Sequence, residues 1–62
     1  LSAEFGLTQR ETEVFVLLMR GRSVPYIRDE LSISRDTVAT HVKHIYVKAD
    51  VHSRQELLDL AL

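Results

Sequence analysis

The run Ser34-Arg35-Asp36-Thr37-Val38-Ala39-Thr40-His41-Val42-Lys43-His44-Ile45-Tyr46-Val47-Lys48 has the periodicity of a helix, not of a strand. Val38, Val42, Ile45 and Ala49 fall on one stripe at helical spacing. The opposite side carries Thr40, Lys43 and His44, with Asp36 and Thr37 near its start. A buried stripe backed by small polar and basic groups suits a helix lying in the major groove of DNA.

Capping signals divide the rest of the chain. Thr8-Gln9-Arg10-Glu11 has the form of a capping box, and Gly21 suits the position just past a helix end. Ser23 is placed to cap a second helix, and Pro25 is tolerated in its first turn, where an amide would be unpaired anyway. Ser32-Ile33 reads as a tight joint and Ser34 as the cap of the third helix. Ser53-Arg54-Gln55-Glu56 reads as a second capping box opening a fourth. The expectation is an all-α four-helix bundle, with helices at about 8–20, 24–31, 35–49 and 54–61. No segment alternates as a strand would.

The second helix, the short joint and the third helix make a unit of about twenty residues, Val24 to Lys43, the length of a helix-turn-helix. Ile27, Leu31, Ile33, Val38 and Val42 stand where that unit needs apolar contacts. Its second helix enters the groove while its first crosses the phosphate backbone. Amphipathic helices of this kind also occur in any small bundle, so periodicity alone leaves a plain helical scaffold open.

Composition narrows the classes. Sixty-two residues make one domain whose core supplies roughly 3–5 kcal/mol, and with no cysteine neither a disulfide nor a zinc thiolate can help. A hydrophobic fraction of 45% argues against disorder. No apolar run approaches membrane-spanning length and no signal peptide is visible, so a cytoplasmic domain without membrane contact is expected. The first residue is Leu1, not Met, as in a piece of a longer protein. The net charge of −1 is unusual for a DNA binder. Its distribution matters more, because screening limits reach to about 8–10 Å. Residues 34–54 hold Arg35, Lys43, Lys48 and Arg54 against Asp36 and Asp50, together with His41, His44 and His52.

Catalysis has no foothold. There is no nucleophilic cysteine, no Gly-rich phosphate loop and no nucleophile elbow, and Ser23, Ser34 and Ser53 are explained as caps. His41 and His44 have a spacing possible for two metal ligands, but no third ligand is evident. Neither enzyme activity, a metal nor a cofactor is expected.

From Leu7 onward the chain resembles the LuxR-type (GerE-like) DNA-binding domain of bacterial transcription factors. The matching residues are Leu7-Thr8-x-Arg10-Glu11-x-Glu13-Val14, Gly21-x-Ser23, Ile27, Leu31, Ile33-Ser34, Thr37-Val38-x-x-His41, Ile45, Lys48 and Ser53-Arg54. The resemblance implies a four-helix bundle whose third helix reads double-stranded DNA and whose fourth commonly forms a homodimer contact. It implies a C-terminal output domain behind a receiver or sensor domain, with RNA polymerase as a further partner. By resemblance, Thr37 and Thr40 lie at the groove entrance and Lys43 contacts DNA. His44 and Lys48 are better placed for phosphates, and Ser23 offers its hydroxyl and neighbouring amides to another. Ser34 and Arg35, at the start of the third helix, complete the expected contact set. Leu57, Leu58 and Ala61 are the expected dimer residues. Arg54 is expected to pair with Glu11 or Glu13.

Several residues depart from the family pattern. Ala39 replaces a common lysine. Arg28 replaces a small residue, so it must snorkel outward or the helices must shift. Ala49 stands where a larger apolar residue is usual, and looser packing is expected there. Val16 and Val47 project from otherwise polar faces, either as ordinary surface valines or as contacts with an absent domain or second copy. Two rival functions remain at this point: promoter binding of the sigma-factor region-four type, and a helical protein-interaction module without DNA binding.

Overall fold

The computed structural model describes residues 5–61, with the side chain of residue 61 outside the description. Among the described residues four helices follow in order: α1 (Gln9–Met19), α2 (Val24–Leu31), α3 (Arg35–Ala49) and α4 (Arg54–Ala61). No strand occurs among the described residues.

Local chemistry sets each start. The Thr8 hydroxyl accepts from the Glu11 amide at 3.2 Å, and the Glu11 carboxylate accepts from the Thr8 amide at 3.0 Å, so both arms of the capping box form. The Ser23 hydroxyl accepts from the Tyr26 amide at 3.3 Å, and the Ser34 hydroxyl from the Thr37 amide at 3.1 Å. At α4 the expected box is only half made. The Ser53 hydroxyl accepts from the Glu56 amide, but Glu56 reaches back to the His52 amide, one residue before the cap.

α1, α2 and α3 all end in a Schellman motif. The amides of Arg22, Ile33 and Val51 donate to the carbonyls of Leu17, Arg28 and Tyr46. Those of Gly21, Ser32 and Asp50 donate to Leu18, Asp29 and Val47. The residue turning left-handed is Gly21 (φ 79°) after α1, but Ser32 (φ 54°) and Asp50 (φ 56°) after α2 and α3. The αL conformation of these two side-chain-bearing residues is strained, and the joint between α2 and α3 depends on one of them.

α3 is the central helix: both α1 and α2 pack against it. Its buried side supplies Val38, Ile45 and Ala49. They meet Val14, Phe15 and Leu18 of α1, Ile27 of α2, Val51 of the last joint and Leu57 of α4 in one cluster. Val42, Leu31 and Ile33 are half-buried against it, so Ile33 packs at the angle between α2 and α3. Ala49 is buried despite its small side chain. Arg28 snorkels: its Nε donates to Asp29 Oδ1 at 3.0 Å on the surface, leaving α2 free to pack on α3.

Candidate nucleic-acid interface

Because α1 and α2 cover one side of α3, the remaining side is fixed as a surface. Arg35, Asp36, Ala39, Thr40, Lys43, His44, Val47 and Lys48 are exposed. At 100° per residue, Asp36, Thr40, Lys43 and Val47 lie within an arc of about 60°, opposite Val38 and Ile45. This stripe is the outward pole of the helix.

The hydroxyls near its start are already engaged locally. Ser34 Oγ and Thr37 Oγ1 lie 2.8 Å apart, and Thr37 is half-buried. Thr40 Oγ1 donates to the Asp36 carbonyl one turn back at 3.0 Å, which leaves its lone pairs facing outward as acceptors. Lys43 and Arg35 make no ion pair among the described residues, so both cations are free at the surface.

Lys48 and His44, expected at phosphates, make contacts within the chain. Lys48 Nζ donates to Glu11 Oε1 at 2.6 Å and to the Gly6 carbonyl at 3.2 Å. His44 Nδ1 lies 3.3 Å from Glu11 Oε2. Glu11 is only 4% exposed, and a carboxylate so enclosed needs a cation and donors to stay charged. The Lys48 hydrogen bond, then the Thr8 amide, hold its pKa down from 4.5 to about 2 against the opposing effect of burial. Lys48 and His44 therefore tie the C-terminal half of α3 to the start of α1.

Arg54 also departs from expectation. It does not pair with Glu11 or Glu13: its Nη2 donates to the carbonyls of Leu18 and Arg22, both at 2.8 Å. The Leu18 carbonyl already accepts from the Gly21 amide, so the Arg54 guanidinium is a second donor there and a donor to the Arg22 carbonyl in the loop that follows. Glu13 lies instead near Arg10 on its own helix, at 3.8 Å. The same Arg54 contact fixes the loop that carries Arg22 and Ser23. Arg22, which the motif reading passes over, is exposed, with its guanidinium 4.8 Å from the Tyr26 ring centroid. Beside the Ser23 cap, it puts a positive charge at the start of α2.

The histidines do not converge. His52 lies by Glu56, His44 by Glu11, and no metal-holding group of three occurs among the described residues. His41 is half-buried, and its Nδ1 is enclosed without a hydrogen-bond partner among the described residues.

The expected dimer residues separate. Leu57 is fully buried in the core and cannot face a partner without unfolding the domain. Leu58 is half-buried, the Ala61 side chain lies outside the described residues, and Leu60, 48% exposed, is the large apolar side chain that α4 leaves in solvent.

Two helices joined by a tight αL turn, the second buried on one side and bearing free cations on the other, define a helix-turn-helix DNA-binding domain. Residues 6–61 match the family described as bacterial regulatory proteins, luxR family, and the chain belongs to it. It is thus a DNA-binding domain of transcription regulation.

Curated relatives agree. The chain is 43% identical over 61 residues to the Escherichia coli protein named uncharacterized response regulatory protein YgeK, covering 98% of this chain and 42% of that one. It is 42% identical over 57 residues to the transcriptional activator protein ExaE of Pseudomonas putida, covering 92% and 27%. It is 40% identical over 55 residues to the HTH-type transcriptional regulator MalT of Yersinia pestis, covering 89% and 6%. The chain therefore spans less than half the length of these relatives. No solved structure matches it at a significant level.

Proposed function

We propose that this domain reads double-stranded DNA by laying α3 in the major groove. Thr40 and Lys43 face base edges, while Arg35 and the α2 start at Arg22 and Ser23 hold phosphates on either side. Ser34 and Thr37 shape the helix entrance at the backbone. Lys48 and His44 position α3 through Glu11 and are not primary ligands. The observation that carries this reading is the outward stripe of α3, which keeps Lys43 exposed and unpaired while both neighbouring helices pack behind it.

The domain acts by binding, without chemistry of its own. It works in the cytoplasm as the output end of a longer regulator, behind a receiver or sensor domain, and bears on RNA polymerase at a promoter. The partial coverage of the response-regulatory and activator relatives supports that placement. Two copies occupy half-sites roughly 34–36 Å apart, related by a two-fold axis through α4. Leu60 and Leu58, not Leu57, are the apolar groups α4 has to offer there.

Replacing Lys43 by Ala tests the reading. If Lys43 meets a base, the change costs about 1–3 kcal/mol on the preferred site and relaxes the choice at one base pair. Equal affinity of the two proteins for every duplex would remove α3 from the groove.

A further inference from the structure

Val47 is 70% exposed, the most exposed large apolar side chain among the described residues. It contributes nothing to the core, and as a β-branched residue it does not favour an exposed helical position. It also shares the outward stripe of α3 with Thr40 and Lys43. From Thr40 to Val47 the helix rises about 10 Å, or about three base steps along a groove it follows. A valine offers no donor or acceptor to a phosphate or to a polar base edge. The one apolar feature on the floor of the major groove is the thymine 5-methyl group.

We propose that Val47 is a specificity-determining residue that packs on the methyl group of a thymine, about two base pairs along the groove from the pair facing Lys43. The proposal rests on the groove reading above and extends it: the face that reads DNA runs one turn past Lys43 and ends in an apolar contact. Val47 is continuous with the stripe that carries Thr40 and Lys43, so DNA is the occupant its position favours.

The test removes one methyl group at a time. Duplexes enriched by the chain from a random pool supply the preferred site. Each thymine in it is then replaced singly by deoxyuridine, which keeps the pairing edge and lacks the methyl. One replacement should weaken the wild-type chain about three- to fourfold, the effect of a single buried methyl, and should leave Val47→Ala unchanged. That position should lie about two base pairs from the one whose preference Lys43→Ala relaxes. A sequence-selective chain that tolerates every replacement, or a Val47→Ala variant with the same sensitivity as wild type, would overturn the thymine contact and leave the groove reading standing. Failure to enrich any sequence would overturn both.

Discussion

Glu11 shows how one side chain can serve two structures at once. Its Oε1 completes the cap of α1 and receives Lys48, 37 positions further along the chain. Between about pH 4.5 and 2 the folded chain holds fewer protons on Glu11 than the unfolded chain does. The stability this carboxylate supplies is therefore complete above about pH 4.5 and declines as pH falls toward 2. In denaturant titrations across that window, Glu11→Gln should be less stable than wild type at neutral pH, and the gap should narrow on acidification. A gap that stayed constant would mean that the charge of Glu11 is not what holds the two helices. Lys48→Met should cost about 1–3 kcal/mol of folding stability by stranding that carboxylate. It should also leave the salt dependence of DNA binding nearly unchanged, because Lys48 is already engaged within the chain. A fall of about one in that slope would return Lys48 to the phosphates.

At the scale of elements, α3 is a helix by context. Six of its fifteen residues are β-branched: Thr37, Val38, Thr40, Val42, Ile45 and Val47. Such residues form helices poorly alone, so the Ser34 cap and packing on α1 and α2 must decide its conformation. A peptide of residues 33–51 should show little helical circular dichroism in water, and a strongly helical peptide would contradict this. Asp50→Gly should stabilise the domain by about 0.5–1 kcal/mol, because glycine adopts the left-handed turn after α3 without steric strain. A lower urea midpoint for that variant would mean that the Asp50 side chain supports the turn.

The same scale explains what was legible in the sequence. Caps act across three residues, so Thr8, Ser23 and Ser34 announce themselves and the helix boundaries follow. The outward face of α3 was equally readable, because a 3.6-residue period fixes which residues oppose Val38 and Ile45. Contacts between distant positions were not. Lys48 with Glu11, and Arg54 with the carbonyls of Leu18 and Arg22, join groups more than thirty positions apart. Periodicity carries no information about such pairs, and a motif match reports only that a residue is usual. For the same reason Leu57 and Leu60 look alike in sequence, although only Leu57 meets the core.

For the whole molecule, a radius of gyration of 10.6 Å equals the value of about 10.6 Å expected for a compact chain of this length. A core of this size leaves little margin, roughly 3–5 kcal/mol. Leu57→Ala, costing about 2–5 kcal/mol, should therefore unfold much of the population at room temperature. Leu60→Ser should leave monomer stability within about 0.5 kcal/mol while weakening paired binding to two half-sites. If Leu60→Ser binds two half-sites as well as wild type does, α4 is not the dimer surface.

The central claim, that the outward stripe of α3 lies in the major groove, is tested most directly by protection of guanine N7 from methylation, because that atom is reached only from the major groove. The wild-type chain should protect N7 within each half-site, and the double variant Thr40→Ala, Lys43→Ala should lose the protection while keeping its helical circular dichroism. Full methylation under bound wild-type chain, or protection unchanged in the double variant, would contradict it.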